Sequence, residues 1–131
     1  MRVLTATIIL AICAPLTSHA SSAEETIITK EYTRCMDRAR GEAQKILNCI
    51  ATERKLQDVR MNMAYKALKQ KLSDAQKSQL ILTQRSWVLF RDLNCKSYAK
   101  PGGGELALIR ARDCARYHTA LRARELERFD H

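Results

Sequence analysis

The chain has little of what catalysis and metal binding demand. Of its three histidines, His19 lies in a leader-like segment and His131 is terminal, so His118 stands alone inside the body of the chain. A zinc site would have to recruit isolated carboxylates with no recognisable ligand spacing. No serine sits in a nucleophile-elbow motif. The glycine run Gly102-Gly103-Gly104 lacks the Gly-Lys-Ser/Thr continuation of a phosphate loop, and Glu105 stands where an anion would lie. These gaps predict a non-enzymatic protein with no metal and no cofactor. Strand-like alternation is missing, which excludes a β-rich fold. A Ser/Gly/Pro linker, a like-charge block and a repeat of 20 to 50 residues are missing as well, so one domain is expected.

What is present begins with an export signal. Arg2 supplies a positive start, Val3 to Leu16 is apolar, and Ser18-His19-Ala20 has the small-x-small form of a cleavage site. Residues 1–20 are read as a signal peptide and 21–131 as the mature domain, with a cut after Ala23 as the near alternative. The apolar run is shorter than the roughly 20 residues that span a bilayer and contains Pro15, which disfavours an uncleaved anchor. Cys13 follows the bulky Ile12 and sits early in the apolar core, so it is assigned to the discarded segment rather than to lipid attachment. A periplasmic or secreted location follows. Without Arg2, 22 basic side chains face 14 acidic ones, a formal charge of +8. Such a charge steers anionic partners and repels basic ones at low salt.

Apolar spacing in the mature chain is helical almost throughout. Leu47, Ile50, Met61, Tyr65, Leu68 and Leu72 recur at three- and four-residue steps, predicting a helix of about 30 residues that ends at Ser73. Ser73-Asp74-Ala75-Gln76 fits a capping box, so the chain should turn tightly and restart, laying the second and third helices antiparallel. The third runs from Asp74 to about Lys96. Its Leu80, Leu82, Trp87, Val88, Leu89, Phe90 and Leu93 make an apolar surface too broad for one neighbour. Pro101-Gly102-Gly103-Gly104 breaks it, and Glu105 opens a fourth helix to about Phe129, with an acid at its positive end. A shorter first helix covers residues 29–40, interrupted by Gly41. The expected fold is all-α, a small antiparallel bundle of three to four helices.

Four cysteines remain after processing, Cys35, Cys49, Cys95 and Cys114, and an even count in a small exported domain implies two disulfides. On one straight helix Cys35 and Cys49 would lie about 21 Å apart, beyond the ~4.4–6.8 Å between disulfide-linked alpha carbons; a bend near Gly41 would join them. Cys95 with Cys114 would close the loop from Lys96 to Gly104. This local pairing is preferred, and a crossed pattern pinning the first helix against the others stays open. Each local loop has fewer than twenty residues, for which chain entropy suggests roughly 3 kcal/mol of stabilisation.

The residue order also resembles the LprI-like lysozyme inhibitors. The matching pieces are Cys35 and Cys49; Asp58 with Asn62 and Tyr65; Gln84-Arg85-Ser86-Trp87 leading to Arg91-Asp92 and Cys95; then Cys114, Thr119, Arg122 and Leu126. The likeness covers about residues 32–127. Met61-Asn62 replaces the family's usual Leu-Asn pair, a conservative swap. The resemblance implies an exported helical module with lysozyme as its nominal partner, though a shared fold does not by itself transfer an activity.

Read physically, those residues are mainly structural. Asp58, Asn62 and Tyr65 share one face of the second helix, and Gln84, Trp87 and Arg91 one face of the third, so a polar network is expected between them, joined by Arg85, Asp92, Thr119 and Arg122. Asp58 with Arg91 or Arg85 is the expected ion pair, and Arg85, Arg91 and Asp92 are the alternative partner-binding surface. Trp87 is assigned to the core. The exposed candidate is the loop of Lys96, Tyr98 and Lys100: a protruding basic loop suits the two-carboxylate cleft of lysozyme.

Common lysozymes are themselves basic, so long-range electrostatics oppose the encounter and a local complementary patch must win. Glu24, Glu25, Glu31, Glu125, Glu127 and Asp130 are the acidic candidates. The charge also suggests a second class of partner, anionic lipid headgroups or acidic cell-wall polymer, met by Arg110, Arg112, Arg116, Arg122, Arg124 and Arg128 of the fourth helix. Export makes nucleic acid an unsuitable partner, and the oligomeric state is left open.

Overall fold

A computed structural model describes residues 27–129. The expected leader with Cys13 and its cleavage site, together with Glu24, Glu25, Asp130 and His131, lies outside the described residues. Four helices follow in order: α1 (Lys30–Ala39), α2 (Ala43–Lys71), α3 (Asp74–Lys96) and α4 (Gly104–Glu127). Among the described residues there is no strand, and no helix is long and apolar enough to cross a membrane.

Local chemistry explains each boundary. Thr29 caps α1 by accepting a hydrogen bond from the Tyr32 N–H at 3.0 Å. The helix stops where Arg40 and Gly41 adopt left-handed φ of 47° and 81°, a conformation glycine takes without steric cost. That break folds α1 back onto α2 and brings the alpha carbons of Cys35 and Cys49 to 5.7 Å in a disulfide. Between α2 and α3 the capping box forms as expected: the Gln76 N–H donates to Ser73 Oγ, and the Ser73 N–H donates to Gln76 Oε1 at 2.9 Å. The second disulfide joins Cys95 to Cys114, alpha carbons 5.4 Å apart. The local pairing is therefore the one present.

The packing order differs from the expected α2–α3 pair. The closest partner of α2 is α4, and α3 packs mainly on α4. The cause lies in side-chain size. Ala115, Ala120 and Ala123 give α4 a narrow buried face that lets its axis approach α2, while α3 turns Leu80, Gln84, Trp87 and Arg91 inward and is held further out. Met61, Ala64, Leu68 and Leu72 of α2, Leu80 of α3, and Ala123 and Leu126 of α4 form the apolar core, with Tyr65 and Trp87 packed against it. Shortening Leu68 there to alanine would cost about 2–5 kcal/mol. The broad apolar surface of α3 is only partly used: Leu82, Leu89, Phe90 and Leu93 stay more than half exposed.

Candidate functional site

The structure gathers polar side chains into three groups, two of them expected from the sequence. The first surrounds Trp87. Arg91 is buried; its Nε donates to Asp92 at 2.9 Å and its Nη1 to Thr119 Oγ1 at 3.3 Å, with Asp58 3.8 Å away. Its guanidinium stands 5.0 Å from the Trp87 ring centroid, and that of Arg122 6.0 Å from the same ring. Arg122 donates to Gln84 Oε1 at 3.0 Å and pairs with Glu125 at 2.8 Å. Gln84 reaches back to the Met61 sulfur at 3.6 Å. Asp58, Gln84, Trp87, Arg91, Asp92, Thr119 and Arg122 are thus brought together across α2, α3 and α4. Tyr65 is half-buried in the adjoining apolar core, while Asn62 and Arg85 face solvent. Arg91 and Arg122 are too enclosed to act as partner-binding residues; they work as spacers that fill the gap behind α3.

A second polar cluster was not singled out from the sequence. Glu53 is 1% exposed. Its carboxylate accepts hydrogen bonds from the Thr29 N–H at 3.0 Å, Thr29 Oγ1 at 2.6 Å and Gln57 Nε2 at 2.8 Å. Nearby, Tyr32 donates to Asp113 at 3.1 Å, and Arg116 donates to the same carboxylate with its guanidinium 4.6 Å from the Tyr32 ring centroid. Burial pushes the Tyr32 phenol up to about 12; the neighbouring Arg116 opposes that shift and Asp113 adds to it. Burial disfavours the Arg116 charge too, but Asp113 outweighs it and holds the guanidinium above its ordinary value. Arg60 closes the cluster through Glu127 at 2.5 Å and Gln57 at 3.2 Å. The signal that could have revealed it is Glu53 in helical register with Ile50, Gln57 and Met61, an acid on the face that α2 buries.

The third group is the loop between the helices. Lys96, Tyr98 and Lys100 are all exposed, and the disulfide below them ties the two ends of the loop together. The chain turns through backbone bonds from Tyr98 to Cys95 and from Gly103 to Lys100. Gly103 admits no side chain, since a Cβ there would meet Ala107 Cβ at 2.5 Å. Beside the loop lies a groove of about 500 Å³, lined by Tyr98, Lys100, Leu106 and Arg110 among others. Its walls offer two cations and one phenol to an acidic ligand, with apolar floor from Leu106 and Ala107.

Cys95, Cys114 and His118 bring three potential metal-ligand atoms within 4.8 Å of one another. The two sulfurs are bonded to each other, which leaves one imidazole, itself 3.3 Å from Asn94 Nδ2.

The ion pairs redistribute the charges counted in the sequence. Glu31, Glu125 and Glu127, candidates for an acidic patch, pair with Arg34, Arg122 and Arg60. Among the described residues, only Asp37 and Glu105 of the acids lack an ion pair or hydrogen bond. The arginines of α4 do not form one cationic stripe, because Arg116 and Arg122 are buried while Arg110, Arg112 and Arg128 are exposed.

The sequence profile of the family described as lysozyme inhibitor LprI matches residues 35–126, from the first bridged cysteine to the last core leucine of α4. No curated protein and no solved structure matches the chain.

Proposed function

The chain belongs to the LprI lysozyme inhibitor family, and on that premise we propose that it is exported and blocks lysozyme by stoichiometric binding. The loop at Lys96, Tyr98 and Lys100 enters the catalytic cleft. The observation that carries this reading is the charge distribution: nearly every described acid is already paired inside the molecule, so a basic lysozyme meets no acidic patch here, whereas the tethered loop presents free cations at one end of the bundle. Lysozyme's own concentrated negative charge is its carboxylate pair, and a loop anchored by a disulfide reaches it with less ordering cost than a free segment.

The test is a titration of oxidised protein against lysozyme turnover at low and moderate salt, with Lys96→Ala/Lys100→Ala alongside. Stoichiometric loss of turnover, weakened at least tenfold in the double variant at unchanged thermal stability, supports the reading. Full inhibition by the folded variant removes the loop from the mechanism. Salt-sensitive binding to acidic cell-wall polymer or anionic lipid, with turnover untouched, selects the second class of partner instead, which the unpaired surface cations favour.

A further inference from the structure

The outer face of α3 carries an apolar stripe that nothing in the bundle covers. Leu82, Ser86, Leu89 and Leu93 lie along it, with Leu82 57%, Leu89 61% and Leu93 60% exposed. Their spacing of four, three and four residues is that of a coiled-coil seam, and it reads the same from either end. We propose that α3 pairs antiparallel with α3 of a second copy of this chain, forming a two-fold dimer on the side of the bundle away from its core.

Three observations select a second copy as the occupant. A two-fold axis midway between Ser86 and Leu89 sets each Leu82 against the other copy's Leu93, and each small Ser86 against the other copy's Leu89, so every bulky residue meets a partner or a hole. The flanks agree in charge. Arg85 and Asp92 are seven residues apart and therefore on one flank of the stripe; an antiparallel two-fold lays that flank beside its own copy in reverse, bringing Arg85 opposite the second Asp92 twice over. Arg85 is exposed and makes no ion pair among the described residues, whereas Asp92 is held in place by Arg91. The opposite flank is Thr83 and Phe90, uncharged, with Phe90 54% exposed. Finally, the three leucines and Phe90 leave roughly 400 Å² of apolar side chain open per copy, so a contact that also covers Arg85, Ser86 and Asp92 reaches about the 1,200 Å² lower bound of specific interfaces. The implied dimer is weak, with a dissociation constant on the order of micromolar.

Sedimentation equilibrium of the oxidised protein over a range of concentrations tests this. The wild type should show a monomer–dimer equilibrium. Leu89→Asp should be monomeric throughout, and Arg85→Asp, which sets acid against acid, should raise the dissociation constant about tenfold. Leu56→Asp is the control: Leu56 is 48% exposed on the back of α2, and its change should leave the dimer intact. Circular dichroism melts establish that each variant folds. A wild type that stays monomeric at every concentration overturns the proposal, as does a dimer that survives Leu89→Asp or is lost with Leu56→Asp. A monomeric wild type whose Leu89→Asp variant loses lysozyme inhibition would assign the stripe to the enzyme instead, again against the dimer. The sedimentation outcomes do not depend on which partner the loop binds.

Discussion

Replacing Glu53 by glutamine preserves the volume of the side chain and removes its charge, which isolates what the carboxylate does. In the native protein it accepts three hydrogen bonds, two of them from Thr29 at the cap of α1, and lies near the cations Arg60 and Arg116. An amide accepts on one atom only: its oxygen can keep the bonds from the Thr29 N–H and the Gln57 amide, while its nitrogen faces Thr29 Oγ1, which must turn from donor to acceptor. The bonds fall from charge-assisted to neutral in a site only 1% exposed, and the Thr29 hydroxyl proton loses its carboxylate acceptor, a cost of about 1.5–3 kcal/mol. The expected cost is about 2–3 kcal/mol, because Arg60 and Arg116 keep Glu127 and Asp113 as partners. For a domain of this size that lowers Tm by roughly 10–20 °C. Thermal melts and urea titrations, run with both disulfides intact, measure it. Thr29→Val should cost ~1–2 kcal/mol through the lost cap, and the double variant should cost less than the two separately because they remove the same bonds. A Glu53→Gln loss below about 1 kcal/mol would refute the argument that this carboxylate fastens α1 to the bundle.

Arg91→Met should be milder, no more than about 1.5 kcal/mol, although Arg91 is also buried. Its acids Asp92 and Asp58 are partly exposed and recover water, and Thr119 keeps its bond to the Ala115 carbonyl, so nothing is stranded; the same melts rank the two variants. Tyr32 should ionise well above the ordinary phenol, near pH 12 by ultraviolet difference absorbance. Because its folded pKa exceeds the ordinary 10, the stability it contributes is complete below pH 10 and is lost as pH rises from 10 towards 12, and Tyr32→Phe should abolish that part of the alkaline decline.

The helices were legible because their signals are local. A serine three residues before a glutamine ends one helix and begins the next, and Gly41 marks the bend that lets two cysteines fourteen residues apart meet. Which helices touch was not legible in the same way. The chain restarts tightly after Ser73, and sequence reasoning took adjacency in the chain for adjacency in space. Interaxial distance depends on side chains facing one another, and the alanines of α4 win the close approach to α2. The cluster around Trp87 could be anticipated because Gln84, Trp87 and Arg91 follow helical spacing. That around Glu53 could not be assembled in advance, since its members come from the α1 cap, the middle of α2 and the middle of α4, and only the folded chain puts Thr29 beside Glu53.

The buried charges also explain how so basic a chain stays folded with so small an apolar core. Four of the buried side chains are ionisable, Glu53, Arg91, Arg116 and Arg122, and they sit where α1 and α3 join the α2–α4 pair. An arginine there fills space with its aliphatic stem, stacks its guanidinium on Trp87 or Tyr32, and still reaches an acid at the edge of the bundle. Each such pair neutralises one acid and one base at the edge of the bundle and leaves the net charge unchanged. The basic excess is set by composition and remains on the outside: Asp92, Asp113, Glu125 and Glu127 help position helices, Glu31, Glu42 and Asp74 pair with surface cations, and the exposed lysines and arginines still outnumber the acids. An inhibitor built this way cannot attract a basic enzyme by its overall field, so under the proposed reading its affinity must come from a short-range contact. Under that reading moderate salt should relieve the long-range repulsion and strengthen inhibition, while Lys96→Ala/Lys100→Ala should weaken it at every salt concentration in turnover titrations.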